Sequence, residues 1–475
     1  MTEPAIKASA MTTAILLITL SACSSSQPPS ADDAPDPQPE VERQFPQEVS
    51  DELPEHGEDS YEAPSPCDAV QEERDRNPIL PDLLEEYLSE DARALLEDPE
   101  THRLQILIAE VVELDDEYTC LVKHGFRVDA EYFYPASSIK TLASAAAIIK
   151  FDSLLESDAE LWFHNPDDFT EQSDALDDAD FDAEHFDTLR NIIDDTQIVS
   201  SNPGYNRLFD LVGHKSLHQV GKDMGLKSLR MNHRFFSQRS PAQERWSPRI
   251  SISEAGVDGD ADDPELEEFL APRTSTIELT PIEIEGIRVG ESYIESDEVI
   301  DEPMDFREMN YLSLADHLRL MVGLLRPQVL QDTISRPFRK LQWTSHHALL
   351  RQAMERDPEE FAEERGYDLG EDVQRRFKPM LSGIGEYLDA DIVSYFNKGG
   401  RAYGFHTENA YIVNRTNDRA VFVAATAYVN ENRRQLIAAL ENWWDKYRTT
   451  LRDIEAERDE ARAELEGFLK ELGYV

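Results

Sequence analysis

Positive charge is scarce in this chain: 46 Lys and Arg stand against 97 Asp and Glu, a formal charge of −51. Like charges repel, so nucleic acid and a bare anionic membrane surface are poor partners. Cysteine is scarce too, with three in 475 residues. No Cys-x-x-Cys or nearby His completes a tetrahedral set, and His346 and His347 are adjacent instead of at ligand spacing, which argues against a metal site. A Gly-rich phosphate loop is also missing, so the residues call for no metal and no cofactor. The apolar run "AILLITL" (Ala14–Leu20) is far too short to span a bilayer as a mature helix.

That same run has the make-up of a signal-peptide core, though the basic end is weak, Lys7 being offset by Glu3. Directly after it, "LSAC" (Leu20–Cys23) resembles the lipobox of bacterial lipoproteins, in which the Cys is lipidated after cleavage. The resemblance implies a signal peptide over 1–23, a membrane anchor at Cys23 and a place in the cell envelope, facing the periplasm or the exterior; an ordinary secreted or uncleaved segment is the alternative. Export leaves Cys67 and Cys120 as an even pair in an oxidising compartment, open to a disulfide or to two thiols. From Ser24 to about Arg76 the chain is rich in Pro, Ser, Asp and Glu and poor in apolar residues, which reads as a disordered acidic tether.

The period of "PDLLEEYLSEDARALLED" (Pro81–Asp98) predicts an amphipathic helix, and a domain over about 77–450 begins here. "RLQILIAEVVEL" (Arg103–Leu114) and "YTCLVKHGF" (Tyr118–Phe126), separated by an acidic turn, predict a hairpin. The acidic stretch Ser157–Glu184 reads as solvent-side loops, and Glu254–Glu268 and Glu291–Glu302 as surface insertions. "IVSYFNKGG", "AYIVNR" and "RAVFVAATAYV" (Arg419–Val429) predict antiparallel strands. From Arg433 to Leu472 the chain reads as charged helix, with a narrow apolar stripe that includes Leu465 and Leu472; its last part, 451–475, is set apart from the domain.

Chemistry is carried by "YFYPASSIKTLASAAA" (Tyr132–Ala147). Pro135 precedes an apolar helix whose opening face presents Ser137 and, a turn later, Lys140. Alone such a pair means little, because Ser-x-x-Lys occurs by chance. About sixty residues on, "SSNPGYNRL" holds Ser200 and Asn202 before a helix, and "NKGGRAYG" places Lys398, Gly399 and Gly400 at the end of a β-rich run.

In that order the three elements resemble the serine penicillin-recognising superfamily, above all the class A β-lactamase-like fold, with its Ser-x-x-Lys, Ser-Asp-Asn and Lys-Thr-Gly motifs. The likeness runs from about Leu104 to Trp444 and takes in "NYLSLADHLRLMVGLL" (Asn310–Leu325) as a helix. It implies an α/β (α+β) fold, an antiparallel sheet flanked by helices and joined to a helical subdomain. It also implies Ser137 as nucleophile, Lys140 as its base and Ser200 as proton relay. Asn202, Lys398, Gly400 and Arg401 would bind substrate, with the N–H groups of Ser137 and a residue near Arg401 as oxyanion donors. Helix capping is the other reading of Ser200 and Asn202, and a solvated strand-end Lys the other reading of Lys398.

Departures from the pattern matter. In "SLRMNHRFFSQRSPAQERW" His233 and Arg234 stand where class A enzymes carry the Glu that activates the deacylating water, leaving Glu244 as a weak candidate. Gly399 replaces the hydroxyl residue of the third motif, and Ser201 the Asp of the second. The expected activity is acyl-enzyme hydrolysis on Ser137, nominally of a β-lactam, by a monomer acting on a small-molecule or peptidoglycan-like amide or ester. A D-alanyl-D-alanine peptidase or esterase-like enzyme, and a non-catalytic envelope lipoprotein keeping the fold as a binding module, are the rivals.

Overall fold

The computed structural model describes residues 66–76 and 96–429, leaving aside 115–118, 158, 165–182, 238, 254–267, 296–297, 331–335, 344–345, 371–372 and 385–391. Two units make up the chain, Met1–Tyr428 and Val429–Val475, and every described helix and strand belongs to the first. The signal segment with Cys23, the helix expected from Pro81 as far as Leu95, and the charged terminal helix lie outside the described residues.

Part of the expected tether is ordered: helix α1 (Pro66–Arg76) buries none of its residues, and a helix of eleven mostly polar residues is marginal on its own. Its hold is covalent and at a strand edge. Cys67 is joined to Cys120, and the Gln71 side chain accepts from the Lys123 N–H at 2.8 Å and donates to the Lys123 carbonyl at 3.0 Å. The tether reading is therefore corrected to end before Pro66, because the disulfide supplies what the composition lacks.

The expected hairpin is β1 (Gln105–Glu113) and β2 (Thr119–Phe126), paired antiparallel from Ile106↔Phe126 to Glu113↔Thr119. Side chains of β1 alternate, as a period of two requires: Leu107 and Ala109 enter the larger core, Ile106 and Ile108 a second core on the other face. A 3-10 turn, Ala136–Ile139, runs into helix α2 (Lys140–Ser157), which is buried all round from Lys140 to Ile149. Burial on every side is the mark of a central helix.

Within the acidic stretch expected to be loops, β3 (Glu160–His164) and β4 (Ala183–Thr188) pair with each other. Leu161 and Phe163 are fully buried, so a short apolar alternation outweighs the acidic composition around it. Helices α3 (Leu189–Ile198), α4 (Asn202–Val212) and α5 (His214–Asp223) pack with α2 as the helical part. Strands β5 (Arg249–Ser253) and β6 (Glu268–Leu270) complete a small sheet in the order β4-β3-β5-β6. The expected insertion Glu291–Glu302 contains a small hairpin, Tyr293–Glu295 with Glu298–Ile300.

Helix α6 (Leu314–Leu325) is capped by Ser313 and lies on the main sheet. The sheet is completed by β7 (Val393–Asn397), β8 (Gly400–Ala402), β9 (Phe405–Asn414) and β10 (Arg419–Tyr428). Its order is β7-β9-β10-β1-β2, all antiparallel, with β8 pairing β9 beside that path. The fold is thus the expected antiparallel sheet flanked by helices and joined to a helical part.

Removing the disulfide with Cys67→Ala and Cys120→Ala should cost about 2–4 kcal/mol, the range for closing a long loop. Urea unfolding of both forms measures this, and an unchanged midpoint would show that α1 adds nothing to the cooperative unit.

Candidate active site

Ser137 is the only residue between Tyr132 and Ile149 that is not buried. The turn that presents it is strained: Ala136 has φ 47°, a left-handed conformation that residues with a side chain seldom adopt. Ser138 next door is buried, its Oγ 2.7 Å from both the Pro135 carbonyl and His317 Nε2, so it fastens the turn. One serine of the pair anchors the turn while the other faces outward.

Lys140, one turn on, is wholly buried. Its Nζ lies 2.6 Å from the Ser200 carbonyl, 2.6 Å from Asn202 Oδ1, 3.2 Å from the Ser201 carbonyl and 3.4 Å from Ser200 Oγ. Burial, and next the neighbouring positive Lys398, push its amine well below the ordinary lysine value. The ring of Phe235 covers the amine at 4.9 Å and that of Tyr205 at 6.0 Å.

The loop before α4 is shaped for this contact. Ser201 caps α4, its Oγ accepting from the Gly204 N–H at 3.0 Å. Capping, the other reading of Ser200 and Asn202, is thus carried by the residue between them. Ser200 takes φ 59°, and its Oγ sits between two amines, with Lys398 Nζ at 2.8 Å. Lys398 is 4 % exposed, not a solvated strand end; burial lowers its amine to about 7 against the opposing pull of Glu408.

Strand β8, with Gly400 and Arg401, pairs on one side with β9 and lies against the Ser137 turn on the other. Here glycine is obligatory: a Cβ on Gly400 would stand 2.5 Å from the Pro135 carbonyl and 2.6 Å from the Ser137 nitrogen. That closeness brings the β8 backbone beside the Ser137 N–H, where an oxyanion hole needs two donors. Arg401 itself is exposed.

Glu244 is placed differently from what a deacylating base requires. It is 2 % exposed and its Oε2 holds Arg234, at 2.6 Å from Nη1 and 3.1 Å from the backbone nitrogen, while Asp210 Oδ1 binds the same guanidinium at 2.5 and 2.9 Å. This buried triad, together with Asn206, which bonds both the N–H and the carbonyl of Phe235, pins the segment after His233 to α4. Among the described residues no hydrogen bond links Glu244 to Ser137, Lys140 or Ser200. The result is a phenyl ring over Lys140. His233 stacks on Tyr134, with Nε2 3.4 Å from its hydroxyl.

Ser137, Lys140, Ser200, Asn202, Lys398 and Gly400 are therefore gathered at one place, and Glu244 serves the scaffold. Sequence reasoning missed Glu408, a buried carboxylate beside Lys398; its position on an alternating strand was the available signal. It missed Phe235 as the cover of Lys140. Among the described residues no group of three or more His, Cys, Asp or Glu is arranged to hold a metal ion.

Adding a methyl at Gly400 should force β8 off the turn. Gly400→Ala is expected to slow covalent labelling of Ser137 by about 100-fold or more, the scale of a lost oxyanion donor, with the thermal midpoint recording whether folding survives. Labelling at the parent rate would mean that β8 takes no part.

Residues 123–273 match the β-lactamase enzyme family described as Beta-lactamase2. No curated protein matches the chain. Similar solved structures include a PBP-A variant as its acyl-enzyme complex with penicillin G, at 14 % identity and TM-score 0.38, covering 71 % of this chain and 85 % of that one. A β-lactamase from Sphaerobacter thermophilus is 12 % identical, TM-score 0.37, with 71 % and 85 % covered. The chromosome-encoded β-lactamase of Vibrio parahaemolyticus is 14 % identical, TM-score 0.35, with 75 % and 97 % covered. The family match spans the first two motifs, Ser137 to Lys140 and Ser200 to Asn202, and the fold brings Lys398 of the third to them.

Proposed function

We propose that the protein is a serine hydrolase working through an acyl-enzyme on Ser137, with a β-lactam or a related amide or ester as acyl donor. The supporting observation is the outward-facing Ser137 one turn from a buried Lys140, with Ser200 Oγ between the amines of Lys140 and Lys398. A serine hydroxyl needs a base to take its proton, and an amine serves once its pKa is depressed. As Ser137 Oγ bonds to the carbonyl carbon, its proton passes to neutral Lys140 and through Ser200 to the leaving nitrogen or oxygen, whose bond to carbon breaks. Water then cleaves the ester, releasing the acid and restoring the hydroxyl. Deacylation requires a base for that water, and a ring covers Lys140. Slow release, as in a D-alanyl-D-alanine peptidase or penicillin-binding enzyme, is the second reading, and Phe235 favours it.

We further propose envelope anchoring through Cys23, supported by "LSAC" and by a Cys67–Cys120 disulfide that suits an oxidising compartment. Expression in a bacterium fed a tagged fatty acid should label the chain, and Cys23→Ser should abolish the label; lipid on the Ser variant would remove the anchor from Cys23.

Intact-mass measurement with a penicillin and an activated ester tests the acyl-enzyme. A mass increase should be absent in Ser137→Ala and formed about 100- to 10,000-fold more slowly in Lys140→Ala, as for loss of a general base. Because the neutral amine is the base, the rate should rise with pH through the lowered Lys140 pKa and level off below the ordinary lysine range. Labelling that survives in Ser137→Ala would overturn the assignment.

A further inference from the structure

Glu408 stands on β9, 5 % exposed. Its Oε1 accepts from Asn397 Nδ2 at 2.9 Å and from the Asn409 N–H at 3.3 Å, while its Oε2 has no hydrogen-bond partner among the described residues. That free oxygen faces Gly399, where a Cβ would stand only 2.7 Å from it. A side chain at position 399 would press on this oxygen and turn the carboxylate aside, so Gly399 leaves room for an acid beside the third motif.

The surroundings are cationic and dry. Lys398 and Lys378 are 4 % and 5 % exposed, and both, with Arg401, act electrostatically on Glu408. Lys378 also answers to Glu355 and Asp357 and donates to the Met354 carbonyl. Tyr395 packs on the same carboxylate. Burial holds Glu408 up at about 7 while Lys398 is held down at about 7. The two act on each other through charge, so the carboxylate offsets the pull that Lys398 exerts on an incoming anion.

We propose that Glu408 determines specificity: its carboxylate offsets the charge of Lys398 beside the third motif, so the site takes acyl donors that are neutral at that end in preference to carboxylates. The substrate class is then an ester or amide without a free carboxylate beside the scissile bond. With the carboxylate in place, an anion brought to this spot gains less from Lys398, and in a low-dielectric site that loss is weakly screened. This inference rests on the acyl-enzyme reading of Ser137.

The test uses the full chain with penicillin G and its uncharged methyl ester, two donors with one acyl group, and intact mass to follow Ser137 labelling. The parent protein should favour the ester by on the order of tenfold or more, a factor equal to one step of binding discrimination. In Glu408→Gln, and in the double variant Gly399→Thr with Glu408→Gly, the ratio should fall by about the same factor toward the carboxylate, with near-ultraviolet circular dichroism recording the fold. An equal or reversed preference in the parent overturns the proposal without any variant, as does an unchanged ratio in folded Glu408→Gln. Failure of both donors to label Ser137 overturns the acyl-enzyme reading and this inference together, whereas labelling at the wrong ratio overturns this inference alone.

Discussion

A primary amine buried without a hydrogen-bonded carboxylate partner is the constraint from which this site follows. Lys140 is enclosed at the start of the central helix, and an isolated ammonium in apolar surroundings is costly enough that the group shifts its pKa or collects dipoles. It does both. Three oxygens of the Ser200–Asn202 loop converge on Nζ, and the left-handed backbone of Ser200 belongs to the loop that aims them. Ser201 accepts from the amine with its carbonyl, which leaves its hydroxyl free to cap α4. Phe235 completes the enclosure, held by Asn206 and by the Asp210–Arg234–Glu244 triad. Removing one partner from such a buried ion cluster leaves an unpaired charge and typically costs about 3–5 kcal/mol, so the cover over Lys140 is rigid for reasons unrelated to the chemistry it permits.

Charge is organised on two scales. The chain carries a formal −51, and its field disfavours anions approaching from solvent, within a screening distance of about 10 Å at moderate salt. Inside, Lys140, Lys398 and Lys378 surround a single motif region in which Glu408 supplies the opposing charge. The acidic exterior and Glu408 bear on the proposed preference for a neutral acyl donor through separate physics, screened long-range repulsion in one case and desolvated contact in the other.

Much of the fold was legible in local pattern. The β-rich runs Gln105–Glu113 and Arg419–Tyr428 and the apolar helix after Pro135 form where local pattern predicts, and the helix Leu314–Leu325 forms where the resemblance implies one. Composition misled in two places. The acidic surroundings of Glu160–His164 concealed a strand whose Leu161 and Phe163 are core, and the polar stretch Pro66–Arg76 looked unable to fold because its stability comes from Cys120, far along the chain. The candidate site divides similarly: Ser137, Lys140 and Ser200 were visible as motifs, whereas Glu244, weighed as a base, is paired with Arg234.

By itself, then, the sequence determined which elements form and which side chains have the chemistry to react, since periodicity, capping and the Ser-x-x-Lys spacing are local properties of the chain. Only the tertiary structure decided what those side chains face. Lys398 reaches Ser200 across 198 residues, Phe235 rather than an acid covers Lys140, and Glu408 fills the space that Gly399 leaves open. Solvation and charge pairing in a buried site depend on neighbours remote in sequence, and those neighbours are what set its pKa values and the charge it accepts.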